Sequence, residues 1–398
     1  MEITLSKKGL NIEPSVTLEI TAKAKAMKDK GIDIISFSVG EPDFNTPINI
    51  QDEGIRAIRE GLTKYTPVSG INELKKAICN KFKRDNGLEY DIENIIVSNG
   101  GKHSIYNALM AILNPNDEVI ISAPYWVSYP EMVKIAGGKP VIIYTKEEND
   151  FKFNVEDLEA VKTKNTKAVI LNSPSNPTGS IYTEKELRKI ANWAVSNKIM
   201  VISDELYEKL IYGDYKHISI ASLNEDIKKL TIVVNGMSKT YAMTGWRIGF
   251  AAAEKNIIKV MSNIQGHTTS NPTSISQYAS VVGLEEDQTN IAEMKREFNK
   301  RRLYMVDMIN SIEGLSCKEP KGAFYVMLNF SKLKGKTIQG YKIESSLDFT
   351  NFLLEKANVA VVPGIAFGDD NFVRLSYATS IDNINQGLKR IKKCVETR

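Results

Sequence analysis

Lys239 and Arg247 stand eight positions apart in the stretch LTIVVNGMSKTYAMTGWRIGF, residues 230–250, and their types and spacing point to one chemistry. Leu230, Ile232, Val233 and Val234 read as a short buried strand, which Asn235 and Gly236 break just before Ser238 and Lys239. A lysine at such an exit is poorly solvated, so its ammonium form is disfavoured and its pKa falls toward neutrality, where the free amine attacks carbonyls. That makes Lys239 a candidate Schiff-base lysine. A nearby guanidinium, Arg247, can hold a dianionic phosphate through a fork of N–H bonds. Amine and phosphate anchor together suggest pyridoxal 5'-phosphate. A surface lysine followed by an arginine in a helix cap has the same spacing, so the decision rests on the rest of the chain.

Further candidates sit where other predicted strands end. Ile95–Val97 runs into Ser98-Asn99-Gly100-Gly101-Lys102 and a helix, a turn whose free N–H groups and helix dipole favour an anion. Glu118–Ser122 leads to Trp126, able to stack on a flat ring or to serve the core. Ala168–Leu171 enters NSPSNPTGS, whose two prolines hold Asn172 and Asn176 in a rigid loop. Ile199–Ile202 exits at Asp204 and Tyr207; the aspartate is either a helix N-cap or a buried carboxylate facing a cation. Near the N-terminus, Ile34, Ile35 and Phe37 form a strand before the turn Gly40-Glu41-Pro42-Asp43, where Gly40 permits close backbone approach. Tyr65 lies in an exposed loop before a helix that Asn72 would cap, and Arg374 is a lone charge in an apolar strand, which calls for an anionic partner.

These residues must be positioned by an alternation of strands and helices over residues 90–253, the pattern of an α/β fold with a doubly wound, mainly parallel sheet. Such sheets bind ligands beyond the carboxyl ends of their strands, where the candidates cluster. Residues 15–31 read as an amphipathic helix stopped at Gly31, 47–61 and 155–162 as helices, and Thr183 with Glu186 as a capping box. After Gly283 the texture changes to a long charged helix over 285–311, strands in GAFYVML, VAVVPG and FVRLSYA, and a helix at 346–357, a smaller α+β unit.

The 398 residues suffice for two domains and a large core, and 42% hydrophobic with 25% charged residues excludes disorder. A net charge of +4 with dispersed signs makes no case for nucleic acid or an anionic membrane. Cys79, Cys317 and Cys394 form no disulfide framework, and with His103, His217 and His267 show no metal-ligand spacing. The opening MEITLSKKGL lacks a signal-peptide run and no segment reaches membrane-spanning length, so a cytoplasmic protein is expected.

GEPDFNTP, KYTPVSG, PYWVSYP, NSPSNPTG, SDELY, SKTYAMTGWRIG and RLSYATS occur in that order along nearly the whole chain. On these motifs it resembles the class I pyridoxal-phosphate aminotransferases of fold type I, within them the bacterial aspartate aminotransferase branch. The resemblance implies a large domain at 47–283, a small one at 284–398 joined by segment 1–46, and a homodimer. Lys239 would carry the cofactor, Asp204 would pair with its pyridinium nitrogen, and Tyr207 and Asn176 would bond its 3'-oxygen. Gly101, Lys102 and Arg247 would bind the phosphate, joined by Tyr65 from the other subunit. Trp126 would stack on the ring and border the substrate, while Arg374, with Gly40 and Asn176, takes the α-carboxylate. The implied reaction moves the amino group of an L-amino acid, aspartate, to 2-oxoglutarate by a ping-pong cycle. Aromatic, alanine or broad-specificity transamination and β-C–S lysis share these residues, and a dinucleotide-binding oxidoreductase lacks its G-x-G-x-x-G. Gly236 stands where some relatives carry a phosphate-binding serine, and Glu13 where prephenate-accepting relatives carry a cation. The motifs name no cation for a distal carboxylate.

Overall fold

A computed structural model describes residues 3–14, 16–286 and 288–397. Its first eight strands are β1 (Ile35–Ser36), β2 (Ile95–Ser98), β3 (Glu118–Ala123), β4 (Lys139–Tyr144), β5 (Thr166–Asn172), β6 (Met200–Asp204), β7 (Thr231–Gly236) and β8 (Gly249–Ala252). All but β1 form one seven-stranded sheet in the order β2-β8-β7-β6-β5-β3-β4. Strands β7, β6, β5, β3 and β4 pair in parallel, whereas β8 runs antiparallel to both β2 and β7. The strands are continuous apolar runs because both faces are covered. Val97, Val233 and Phe250 pack with Leu74, Ile78 and Phe82 of the Asn72–Asn86 helix, while Ile96, Ile232 and Val234 meet Ile105 and Leu109 of the Gly101–Ile112 helix on the other face.

The register brings the ends of β2, β5, β6 and β7 to one edge, where Ser98, Asn172, Asp204 and Gly236 leave the sheet. Strand β8, running backward, starts at that same edge. The expected break at Asn235 does not occur: Asn235 and Gly236 stay paired with Phe250 and Gly249, and the chain turns at Met237. A Cβ at Gly249 would stand 2.2 Å from the Gly101 nitrogen, so the glycine lets the Asn99-Gly100-Gly101 turn after β2 lie directly on the start of β8.

The remaining strands are β9 (Tyr325–Asn329), β10 (Thr337–Ile338), β11 (Tyr341–Lys342), β12 (Val359–Ala360), β13 (Val362–Pro363) and β14 (Phe372–Ser376). Strands β13, β14 and β9 form an antiparallel sheet in that order, and β10 pairs with β11. The N-terminal segment builds onto this second body. Ile35 pairs with Val359 in parallel, and Ile20 and Ala24 of the Val16–Asp29 helix pack on Ile34, Leu354 and Ala360. Position 15, where the sequence starts that helix, lies outside the described residues.

Two other expectations change. The charged helix begins at Thr289 rather than 285, because Ser274–Glu285 is a separate helix closed by the Gln288 side chain donating to the carbonyls of Gly283 and Glu286. Asn72 is the first helical residue and Ile71 occupies the cap, its N–H satisfied instead by the Gln277 side chain. Helices Lys255–Thr268 and Ile381–Glu396 were not read from the sequence. No helix among the described residues is long and apolar enough to cross a membrane.

Candidate active site

One cavity of about 260 Å³ lies at the carboxyl edge of the large sheet, and Gly40, Gly101, Lys102, Trp126, Asn176, Asp204, Tyr207, Lys239 and Arg374 all line it. Strand β6 delivers Asp204, whose carboxylate is buried and accepts bonds from the Tyr129 hydroxyl (2.5 Å) and the Leu206 N–H (3.3 Å). Burial pushes its pKa up to about 6, with the neighbouring Glu205 adding to the rise and the two hydrogen bonds opposing it. This carboxylate lacks a cation of its own charge-matching geometry. Glu205, the next residue, just past the end of β6, is matched by the Ser203 and Ser219 hydroxyls and by His217.

The turn after β7 delivers Lys239. Its Nζ donates to the Gly40 carbonyl at 2.7 Å, and burial, reinforced by Arg374 and Arg247, pushes its pKa down to about 8. Its free-base form is therefore accessible near neutral pH. Above it the 172–180 loop is fixed by Asn172, whose Nδ2 donates to the Asp204 carbonyl (3.0 Å) and whose Oδ1 accepts the Asn176 N–H (2.8 Å). Asn176 Oδ1 in turn accepts from Arg374 Nη1 at 3.1 Å, while Nη2 donates to the Ser38 carbonyl at 3.0 Å. Arg374 is buried over the Tyr325 ring, its centroid 4.4 Å away, and its Nε–H finds no acceptor among the described residues. A buried guanidinium with a free donor and no carboxylate partner is built for an external anion.

Opposite Arg374, the Gly101–Ile112 helix opens on Gly100, whose φ of 90° requires glycine. A Cβ there would fall 2.6 Å from Arg247 Nη2. Arg247 donates to the carbonyls of Thr244 (3.0 Å) and Asn99 (3.3 Å), so its guanidinium lies along this turn, outside the cavity lining proper. The Lys102 ammonium sits 5.0 Å from the Trp126 ring centroid; burial and Arg247 lower its pKa, and no carboxylate among the described residues pairs with it. Tyr65 does not join the cavity: at 92% exposure its ring projects into solvent.

A family model described as aminotransferase class I and II matches residues 32–391. The chain belongs to the class I and II aminotransferases. The aspartate aminotransferase of Bacillus subtilis (strain 168) is 47% identical over 392 residues, 98% of this chain and 99% of that protein. That of Bacillus sp. (strain YM-2) is 48% identical and covers both chains completely. Among solved structures, the aspartate aminotransferase of Rhizobium meliloti matches with a TM-score of 0.96 at 42% identity over 99% of each chain. The Thermus thermophilus enzyme with maleate matches at 0.93 and 38%, over 99% of this chain and 100% of the other. This aminotransferase uses pyridoxal 5'-phosphate to move amino groups between amino acids and 2-oxo acids.

The cavity's chemistry fits that cofactor. An uncompensated buried carboxylate at Asp204 suits a cationic ring nitrogen, a depressed lysine suits an aldehyde, and the unbonded N–H groups at the start of the Gly101–Ile112 helix, with Arg247 alongside, suit a phosphate. The sequence reading of this aminotransferase missed four contributors. Tyr129 and Tyr325 hold Asp204 and Tyr207 by their hydroxyls, the latter pair 3.0 Å apart. Ser38 offers its carbonyl to Arg374, and Thr17 lines the cavity with a buried, unpartnered hydroxyl. For Thr17 the sequence offered no signal beyond a hydroxyl in the first turn of an amphipathic helix.

Proposed function

We propose that this aminotransferase takes dicarboxylic partners, aspartate as amino donor and 2-oxoglutarate as acceptor. The observation that carries the reading is that, beside Lys239, the cavity holds two further cations with no carboxylate partner among the described residues, Arg374 and the Lys102 side chain. Arg374, through its free Nε and with Asn176 and Gly40 beside it, grips the α-carboxylate. Lys102, assigned to the phosphate by resemblance, contributes its backbone N–H there and turns its ammonium to the distal carboxylate, with the Thr17 hydroxyl as an added donor. The names of the Bacillus relatives support the same substrate.

When bound, pyridoxal 5'-phosphate supplies an aldehyde that condenses with amines and a protonated ring that draws electrons from the substrate Cα. The chain's residues do the rest. Asp204, held by Tyr129, keeps the ring nitrogen protonated; Tyr207, held by Tyr325, and Asn176 donate to the 3'-oxygen; Trp126 covers the ring. Gly101, Lys102 and Arg247 hold the phosphate. Lys239 Nζ would anchor the cofactor, and its free amine, favoured by burial that lowers its pKa to about 8 in the cofactor-free protein, would serve as the base at the substrate Cα. Tyr65 completes the phosphate site of the other subunit in a homodimer, a reading supported by its exposure and by exposed Ile48, Ile55 and Ile58 on the adjoining helix. The division into 47–283 and 284–398, with 1–46 on the smaller unit, is supported by the β1–β12 pairing and by a core drawn mostly from residues after 294, to which Tyr207, Leu210 and Tyr212 of the larger unit also contribute. The cytoplasm suits this substrate pair.

Steady-state kinetics test the substrate assignment. Aspartate and 2-oxoglutarate should give the highest kcat/KM, and Lys102→Met should raise KM for both by roughly tenfold or more while sparing alanine, the loss of one charge-assisted bond. A preference for alanine or phenylalanine, or release of pyruvate and ammonia from a β-thio amino acid, would refute it.

A further inference from the structure

The Lys255–Thr268 helix sends no side chain into the cavity, yet one of its residues reaches the two segments that flank the phosphate end. Gln265 is fully buried and uses every hydrogen-bonding position of its amide. Its Oε1 accepts from the Ser98 hydroxyl (2.7 Å) and from Asn107 Nδ2 (2.9 Å). Its Nε2 donates to the carbonyls of Val97 (2.8 Å) and Val68 (2.7 Å). The two backbone carbonyls fix which end of the amide is nitrogen, so the side chain has one orientation only.

The partners are not a random set. Val97 and Ser98 are the last residues of β2, immediately before the Asn99-Gly100-Gly101 turn, and Asn107 lies on the helix that this turn opens. Val68 belongs to the loop that carries Tyr65, and the Val97 N–H already donates to Ser69 of that loop at 3.0 Å. One amide thus grips the strand entering the phosphate turn, the helix leaving it and the loop presenting Tyr65. A second buried glutamine, Gln277, holds the same loop by Thr66 and Ile71 but touches neither the strand nor the helix.

We propose that Gln265 is a positioning residue for phosphate binding, a bracket that holds the Gly100-Gly101 cradle and the Tyr65 loop in one register. The inference rests on the reading that this cradle and Arg247 receive the cofactor phosphate. Backbone N–H donors act only when placed within a fraction of an ångström, and glycines at 100 and 101 give the turn no side chain with which to brace itself. The bracing comes instead from a residue that the ligand never meets.

A structural role alone would weaken all ligands alike; a cradle-positioning role weakens those that carry the phosphate. The full-length protein, stripped of cofactor, is titrated with pyridoxal 5'-phosphate and with pyridoxal. Gln265→Leu should lower the ratio of the two affinities by roughly tenfold, the value of one well-placed charge-assisted hydrogen bond. Gln265→Glu, neutral in this buried setting, keeps both accepted bonds and one of the two donors and should fall between; it carries the same comparison should the leucine variant not fold. In a Tyr65→Phe background the drop should persist, because the cradle half of the bracket acts within its own chain. Equal weakening of both ligands, no change in either, or a drop that vanishes with Tyr65→Phe would overturn the proposal. Arg247→Leu separates it from the reading beneath: a lowered ratio there with none at Gln265 defeats the bracket alone, whereas an unchanged ratio at Arg247 defeats the cradle and the bracket with it.

Discussion

Replacing Asp204 by asparagine should stabilise the cofactor-free protein while nearly abolishing its activity. The buried carboxylate titrates at about 6 against an ordinary value of 3.8, so the folded state favours its protonated form. Stability contributed by that proton is complete below the unfolded pKa and is lost as pH rises through the folded one. By pH 7.5 the accumulated cost is about 3 kcal/mol, of which roughly half has been incurred by pH 5. Asparagine carries no charge and escapes this cost, but weakens the 2.5 Å bond from Tyr129 by about 1 kcal/mol, leaving a net gain of about 2 kcal/mol. For a chain of this length that corresponds to a Tm increase of about 2–3 °C. Scanning calorimetry of both cofactor-free proteins between pH 5 and 8 reads it directly: the gap should widen by about 1.4 kcal/mol as pH rises and level off above 7. Single-turnover reaction of the reconstituted variant with aspartate should slow by about a hundredfold or more, as on loss of an electrostatic partner at other active sites. A variant no more stable than wild type at pH 7.5, or a gap that ignores pH, would show that the carboxylate is not buried without compensation.

Borohydride reduction of the holoenzyme followed by peptide mapping should place the pyridoxyl label on Lys239 alone, and the rate of cofactor attachment should rise with pH to a midpoint near 8, where that amine loses its proton. Gly249→Ala should cost about 1–3 kcal/mol in urea unfolding and weaken cofactor binding, since the new methyl falls on the Gly101 nitrogen; normal affinity would mean that the turn yields freely. Tyr65→Phe,Lys239→Ala chains mixed with wild type should form hybrids whose one intact lysine site holds cofactor less tightly than wild-type sites do, and equal affinity would restrict Tyr65 to its own chain.

Much of the site was legible because its residues violate their local pattern. Arg374 is a charge inside an apolar strand, Asp204 and Lys239 follow buried β runs, and Gly100-Gly101 interrupts a strand-to-helix passage. Each departure has a local signature that a reading of periodicity detects. Residues that act through a neighbour leave none. Tyr129 and Tyr325 look like core aromatics until their hydroxyls are seen on Asp204 and Tyr207, and Gln265 is one polar residue in a polar stretch of helix until 0% exposure gives it meaning. The pairing of β7 beyond Asn235 was hidden for a related reason. Asparagine and glycine punctuate isolated strands, but here a partner glycine at 249 supplies the room that keeps them in the sheet.

The backward course of β8 places Lys239 and Arg247 on one short excursion, residues 237–248, pinned at both feet where Gly236 faces Gly249. In the roles proposed for them, covalent tether and ionic clamp would then belong to one short segment whose two ends are held together by the sheet. Arg374 stands on β14, in the other sheet, and Gly40 and Ser38 stand beside it on the segment stitched to β12. On the proposed roles, the coenzyme would be held by one sheet and the substrate's carboxylate by the other, with the Arg374–Asn176 hydrogen bond joining the two across the cavity.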